Sequence, residues 1–426
     1  MGKIVSIFLT FLLLIFPITL YTVRAQQREL RLTVTPGNSI QRAINDALPG
    51  STIFIESGTY YEETYPIIVN KTLTLIGKDM DATIIDGQLT ETQIILVKSS
   101  GVRILNLTIQ NTTISETGAA GIDLYDVQNV EVANCKIKNC SFGIHLKNSS
   151  QCRITRNELK NNYISGVYLR QSSYNFIIEN TISNNTKGIW VADTSCTGNE
   201  IYHNNFLGNK VNKDAVVAGG IWHKGYPSGG NYWSDCIKPD YYWGSNQDKE
   251  GSDGICDESY NDLDRYPFMA PLNFFTVGKW NDEEYYISII SNCTISELHF
   301  DPNTASISFN ARGGLGTGFC RVAILKQILW VESGYQWTVL VNSTSVDPLI
   351  LDQYDEYTYL YFTFENDEET VLIEIRGTNA IPEFQKEIVL VLLKLFLDAA
   401  IIIKVKKKAR INPLFNSVNF LVRILS

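Results

Sequence analysis

Gly121-Ile-Asp-Leu, Gly143-Ile-His-Leu, Gly166-Val-Tyr-Leu and Gly188-Ile-Trp-Val recur with their glycines 22, 23 and 22 residues apart. A second apolar segment follows each copy at a fixed offset, at 132–137, 154–159, 177–182 and 201–206. Within it Cys135, Asn157, Asn180 and Asn204 fall in one column, and Asn139, Asn161, Asn184 and Gly208 fall in another just past the strand. An earlier copy at 104–109 keeps the register, with Asn111 in the turn column, and 112–120 is a longer excursion. A period of this length, built from short alternating strands, predicts one coil of a parallel β-helix per copy. Successive coils then stack about 4.8 Å apart through backbone hydrogen bonds. Asparagine at the stacked turns tolerates left-handed backbone and passes amide bonds from coil to coil. A leucine-rich repeat has a similar period, but it needs several leucines at fixed offsets and a helical return. The return segments here are Asn/Ser-rich and too short for a helix.

The stack needs its ends covered. Ile40, Ala43, Ile44, Ala47 and Leu48 share one helical face behind Ser39 as N-cap, and Pro49-Gly50 ends that helix. The helix is expected to plug the amino-terminal end of a solenoid of roughly eight coils. The 426-residue chain has room for further units. From about 280 to 378 the repeat is lost, and short strands at 285–290, 305–309, 319–324, 338–341, 357–364 and 370–375 predict an antiparallel β-sandwich.

Lys3 precedes an apolar run at 4–20, and Ala25 stands before Gln26-Gln27, the pattern of a secretory signal over 1–25. Pro17 interrupts the run, which argues against a transmembrane helix. An apolar stretch at 388–403 is followed by Lys404, Lys406, Lys407, Lys408 and Arg410, and 386–410 reads as a membrane anchor with a basic stop-transfer cluster. A peripheral amphipathic helix is the alternative. Eight cysteines suit an oxidising compartment, and glycosylation acceptors recur at Asn70, Asn106, Asn111, Asn139, Asn148, Asn184, Asn292 and Asn342. With 36 basic against 45 acidic residues, the net charge of −9 argues against a nucleic-acid partner. Only 3 Met and 4 His leave little to build a soft-metal site.

The capping helix, the strand ending Glu56-Ser-Gly-Thr-Tyr60 and the Gly-Ile-X-Leu coils resemble the pectin-lyase-like right-handed parallel β-helix proteins. Gly230-Asn-Tyr-Trp-Ser-Asp235, Asp253-Gly-Ile-Cys-Asp257 and Asp264-Arg-Tyr-Pro-Phe268 resemble the NosD-like members of that superfamily, exported surface proteins of archaea. The likeness covers about 39–272. It implies a copper-delivery role, which the scarcity of Met and His here does not support. The fold expected is therefore all-β: a right-handed parallel β-helix over 30–272 with an amino-terminal capping helix, a β-sandwich over 280–378 and a carboxyl-terminal hydrophobic helix.

In each Gly-Ile-X-Leu-X strand the Ile and Leu should face inward and the X residues outward. Stacking then yields two outer columns, Asp123, His145, Tyr168 and Trp190 beside Tyr125, Lys147, Arg170 and Ala192. Aromatic planes for sugar stacking, with cations for uronate carboxylates, suit a polysaccharide or cell-surface glycan. A solvated sheet face on an exported, cell-surface-tethered protein with a structural or adhesive role is the plain alternative. A lyase acting through Asp123, His145, Lys147 and Arg170, or a hydrolase, is the enzymatic one. The hydrolase needs two carboxylates, and Asp123 has no carboxylate neighbour in these columns. The Asn-Thr-Asp, Gly-His-Gly and Arg-Ile-Lys set of polygalacturonases is absent. A separate acidic stretch places Asn246, Asp248, Glu250, Asp253 and Asp257 at spacings close to an EF-hand loop, with Gly251 at the turn. Calcium is the cofactor expected there; no organic cofactor is. Cys236 with Cys256, and Cys293 with Cys320, are the expected disulfides.

Overall fold

The computed structural model describes residues 31–381 except 116–117, 216–219, 237, 281–282 and 352–355. The expected signal segment 1–25 and anchor 386–410 lie outside the described residues. Among these, no helix is long and apolar enough to cross a membrane.

The repeat winds into a parallel β-helix with three sheets. The first holds eight parallel strands from Arg31–Val34 to Glu200–Tyr202, and the second eight from Gly58–Tyr60 to Tyr232–Trp233. The third holds Ile67–Val69, Ile95–Val97, Ala120–Tyr125, Phe142–Lys147, Ser165–Arg170, Lys187–Val191 and Val211–Ala215. Ile122 pairs with Ile144, Ile144 with Val167 and Val167 with Ile189, so the four repeat glycines stand in one line. Ile and Leu of each coil point inward: Ile122, Leu124, Ile144, Leu146, Val167 and Leu169 are fully buried. The turn column is left-handed as expected, with φ of 53° at Asn139, 55° at Asn161, 54° at Asn184 and 58° at Gly208.

The second Asn column forms an interior ladder. Asn157 Oδ1 accepts from Cys135 N at 2.9 Å, Asn180 Oδ1 from Asn157 N at 3.0 Å, and Asn204 Oδ1 from Asn180 N at 3.0 Å. Asn231 continues it at 3.0 Å from Asn204 N. Two further ladders run through Asn162, Asn185 and Asn209, and through Asn175 and Asn199. Each begins at a cysteine: Cys135, Cys140 or Cys152. These thiols are buried, and burial pushes those of Cys135 and Cys140 up to about 12. They are interior residues of the tube and chemically inert at neutral pH.

Helix α1 spans Ile40–Asp46, with Ser39 Oγ accepting from Arg42 N at 3.1 Å. Glu62 Oε1 accepts from Ile40 N at 2.6 Å and covers a further free donor of the first turn. Ile40 and Ile44 close the tube from below. The opposite end is closed by the Gly230–Asp235 motif. Trp233 stacks on Phe206 at 4.3 Å and on Tyr260 at 4.2 Å. Asp264 is fully buried, and its Oδ2 accepts from Asn231 N at 2.7 Å and Trp233 Nε1 at 2.9 Å. A Cβ on Gly230 would lie 1.8 Å from Asp264 Oδ1, so the glycine admits the carboxyl.

Burial pushes Asp264 up to about 7, and Asp240 likewise to about 7. Between the ordinary carboxylate value of 3.8 and about 7, the folded chain holds protons that the unfolded chain has released. Their contribution is therefore largest at low pH and is lost as pH rises through about 7. His145, whose proton affinity burial lowers, opposes this only below its ordinary value of 6.5. Denaturation free energy is expected to rise by about 1–2 kcal/mol from pH 8 to pH 6.5, and by about half that in Asp264→Asn.

The second unit starts at Leu272 rather than 280, because Leu272–Trp280 pairs antiparallel with Glu283–Ser291. One sheet runs in the order 272–280, 283–291, 316–325, 357–366, 349–351, and the facing sheet 294–301, 306–312, 371–376, 338–341, 344–346. Ile289, Phe309, Val322, Leu360 and Ile373 fill the space between them. The unit is fixed to the solenoid. Asn205 Nδ2 donates to Leu272 O, and Leu272 N to Asn205 Oδ1, both at 2.8 Å. Buried Arg321 donates to Asp253 O at 2.6 Å and to Pro227 O.

Candidate functional site

Strand pairing sets Asp123 beside His145, His145 beside Tyr168 and Tyr168 beside Trp190, and it sets Tyr125, Lys147 and Arg170 in the adjacent row. The sequence-derived columns are thus brought together on the outer face of the third sheet. Their exposure differs from expectation. Asp123 is 3% and His145 7% exposed, not open to solvent as an outward position implies. Gln93 reaches over from the preceding coil and donates to Asp123 Oδ2 at 3.0 Å. Its Nε2 stands 3.6 Å from where a Cβ on Gly118 would lie, so Gly118 packs against it. Phe142, outward on the same strand as His145, stacks on Tyr168 at 5.0 Å and flanks His145 at 5.8 Å.

Under this cover Asp123 Oδ1 stands 3.4 Å from His145 Nδ1. Asp123 Oδ1 and both imidazole nitrogens have no hydrogen-bond partner. Burial pushes Asp123 up to about 6, with Gln93 and Lys147 acting against it. Burial, then Lys147 and Arg170, pulls His145 down to about 4. At neutral pH the pair is a carboxylate beside a neutral imidazole. Buried polar atoms left unmet cost roughly 1–3 kcal/mol each, so the pair gains from any group that supplies partners.

The aromatic residues do not form the expected platform. His145 and Tyr168 stack at 4.7 Å, and Tyr168 and Trp190 at 4.5 Å, so the ring faces are used on one another along the solenoid axis. Lys187 Nζ lies 3.5 Å from the Trp190 ring and pairs with Asp214 at 2.6 Å. Ring edges, not faces, meet the surface. The cations remain available: Arg170 is exposed and Lys147 partly so, and neither has an ion-pair partner among the described residues. Lys147 Nζ stands 4.9 Å from the ring of Tyr125, which is 42% exposed. Gln93 and Phe142 carry no repeat signal, and only the excursion at 112–120 hints that something covers this part of the sheet.

The five residues of the EF-hand-like spacing differ in burial and in partners. Asp253 is buried, its Oδ1 accepting from Ile255 N at 3.0 Å, and its carbonyl holds Arg321. Asp257 accepts from Tyr241 N at 3.0 Å and Tyr242 N at 3.1 Å. Asn246, Asp248 and Glu250 are exposed, Glu250 in the short antiparallel pair with Tyr242–Trp243. Without flanking helices nothing turns these carboxylates toward one point, and among the described residues no three His, Cys, Asp or Glu could hold a metal ion. All eight cysteines are free thiols in this structure. The thiols of Cys236 and Cys256 are in hydrogen-bonding contact. Cys293 and Cys320 share the sandwich core, Cys293 Sγ accepting from Asn366 Nδ2 at 3.2 Å and Cys320 Sγ lying 3.6 Å from Ser291 Oγ.

A family model described as a right handed beta helix region matches residues 76–232. No curated protein matches the chain. Among solved structures, the catalytic domain of a GH87 alpha-1,3-glucanase in complex with nigerose is 20% identical, with a TM-score of 0.36, over 44% of this chain and 36% of that one. The Dettilon tailspike protein is 13% identical, with a TM-score of 0.27, over 81% and 85%. Rice weevil pectin methyl esterase is 16% identical, with a TM-score of 0.31, over 41% and 64%. The chain spans about a third of the length of the glucanase domains it matches. The chain contains a right-handed β-helix region.

Proposed function

We infer that the outer face of the third sheet binds an acidic polysaccharide. One observation carries this reading: two cations without ion-pair partners, Lys147 and Arg170, stand in register beside a covered Asp123–His145 pair with three unmet polar atoms. Lys147 and Arg170 would meet uronate carboxylates, and Asp123 and His145 would take sugar hydroxyls as acceptor and donor. Tyr125 supplies the one exposed aromatic surface of the row. Because the other ring faces are occupied, recognition rests on charge and hydrogen bonds more than on stacking. With the apolar amino-terminal stretch and the basic-flanked carboxyl-terminal run read as export and anchoring segments, the solenoid would be displayed at a cell surface.

Titration calorimetry of the purified full chain with oligogalacturonate tests this. Lys147→Ala and Arg170→Ala should each weaken binding by about tenfold. A neutral oligoglucan should bind more weakly than the wild-type acidic complex, by at least that factor. Equal affinity for both sugars, or no effect of either substitution, would sink the reading.

The Asp123–His145 pair favours one second reading, a lyase in which this pair accepts the proton α to the uronate carboxylate. Release of unsaturated ends, lost in His145→Ala, would establish it. A two-carboxylate hydrolase fits less well. The next acidic residue in the column is Asp214, four coils from Asp123 and therefore about 19 Å away at the usual strand spacing. That exceeds the separation of about 5–10 Å such enzymes use.

A further inference from the structure

Where the sandwich docks on the solenoid it leaves a cleft of about 340 Å³ with no part in the ridge. Its solenoid wall comes from one bend on three successive coils, occupied by Arg156, Glu179 and His203 with φ of 54°, 62° and 58°. On the two preceding coils the same bend holds Asn106 and Asn134. Longer side chains in left-handed backbone cost roughly 1–2 kcal/mol per residue. Gln151 and Tyr174 bear the same cost at other bends, so backbone does not by itself mark the site. What distinguishes this bend is that its three side chains are polar and converge on an enclosed space. The sandwich wall is aromatic, with Tyr286, Tyr357 and Tyr359 among its residues.

The polar groups are incompletely matched. Arg156 lies 4.4 Å from the Tyr286 ring centre, and its Nε is ion-paired with Glu179 Oε2 at 3.6 Å, too long for a hydrogen bond. That Nε is buried and without a hydrogen-bond partner. Lys224 on the rim has an ammonium with no partner among the described residues. Arg321 is already committed to two backbone carbonyls. Burial raises Glu179 against the pull of Arg156, Arg153 and Lys224, so this carboxylate is poorly solvated. The cleft therefore offers tyrosine surface, the Lys224 ammonium, an Arg156 N–H without a hydrogen bond and the carboxylate of Glu179 as acceptor. Its volume sits at the small end of ligand pockets, about 300–1,000 Å³, and junctions between units are where such pockets concentrate.

We propose that this cleft is a second carbohydrate site, independent of the ridge, which takes one or two sugar units bearing a carboxylate. The carboxylate meets Lys224 and Arg156, a hydroxyl donates to Glu179, and the ring packs on the tyrosines.

Ligand-detected saturation-transfer NMR on the full chain, with D-glucuronate and D-glucose as probes, decides the matter. Saturable contact with glucuronate is expected. Its dissociation constant should rise about tenfold in Lys224→Ala and in Arg156→Ala, and glucose should bind about tenfold more weakly than glucuronate. Lys147→Ala removes the ridge's own uronate contact, and a saturable glucuronate contact sensitive to Lys224→Ala should remain. Lys224 is a rim residue, so its variant carries the test if Arg156→Ala does not fold. No saturable contact, a constant unmoved by Lys224→Ala, or binding abolished by Lys147→Ala would each overturn the assignment.

Discussion

Gly143→Ala is expected to destabilise the chain by about 3 kcal/mol, the upper end for forcing one methyl group into a packed site. The backbone at Gly143 is not the obstacle. A Cβ there would lie 2.5 Å from the carbonyl oxygen of Gly166 and 3.0 Å from Asn162 Nδ2. The first contact is with the coil above, so relief requires the strands to separate where the sheet is continuous. That would disturb the pairing of His145 with Tyr168, and with it the ridge. Gly314→Ala is the matched control, because a Cβ at Gly314 meets nothing within 4 Å. It should change stability by no more than about 0.5 kcal/mol. Chemical denaturation of the two variants separates a spatial requirement for glycine from a general preference.

Asn180→Ala should be costlier still, about 4 kcal/mol, since it leaves several buried groups unmet at roughly 1–3 kcal/mol each. Asn180 Oδ1 accepts from Asn157 N and from Asn157 Nδ2, both at 3.0 Å. Its own Nδ2 donates to Ile154 O at 2.8 Å and to Asn204 Oδ1 at 3.0 Å. Bulk solvent does not touch these groups, since Asn157, Asn180 and Asn204 are at most 1% exposed. Asn161→Ala offers the contrast. Asn161 belongs to the outer turn column and is exposed, with φ of 55°. Its loss should cost only the left-handed preference, about 1 kcal/mol. A large gap between these two asparagines is the signature of an interior ladder; comparable losses would deny it.

The tube was legible because its constraint recurs once per coil at the same backbone position. Gly121, Gly143, Gly166 and Gly188 each have to admit a carbonyl from the next turn, and periodic physics leaves periodic sequence. The ladder through Asn157, Asn180 and Asn204 was legible for the same reason. The two further ladders were harder to see, and one runs for only two asparagines, Asn175 and Asn199. Half of the cysteines belong to the solenoid interior, which their even number conceals. The ridge was legible as a set of residues but not as an environment. Gln93, which covers Asp123, and Gly118 beside it interrupt the repeat rather than follow it. At the acidic loop spacing picked out residues but not the direction of their side chains, which depends on how the backbone curls. Here Asp253 and Asp257 are turned to backbone N–H groups instead. The junction cleft left no linear trace, for it exists only once the sandwich meets the bend carrying Arg156, Glu179 and His203.

The most direct probe of the functional account is the imidazole NMR spectrum during titration with oligogalacturonate. The chain has 4 histidines, and only His145 lies on the ridge. Its resonances should move saturably with the ligand, those of His223 and His299 should stay in place, and Lys147→Ala should weaken the response. Oligogalacturonate that binds the protein while the His145 signals remain fixed would contradict the account.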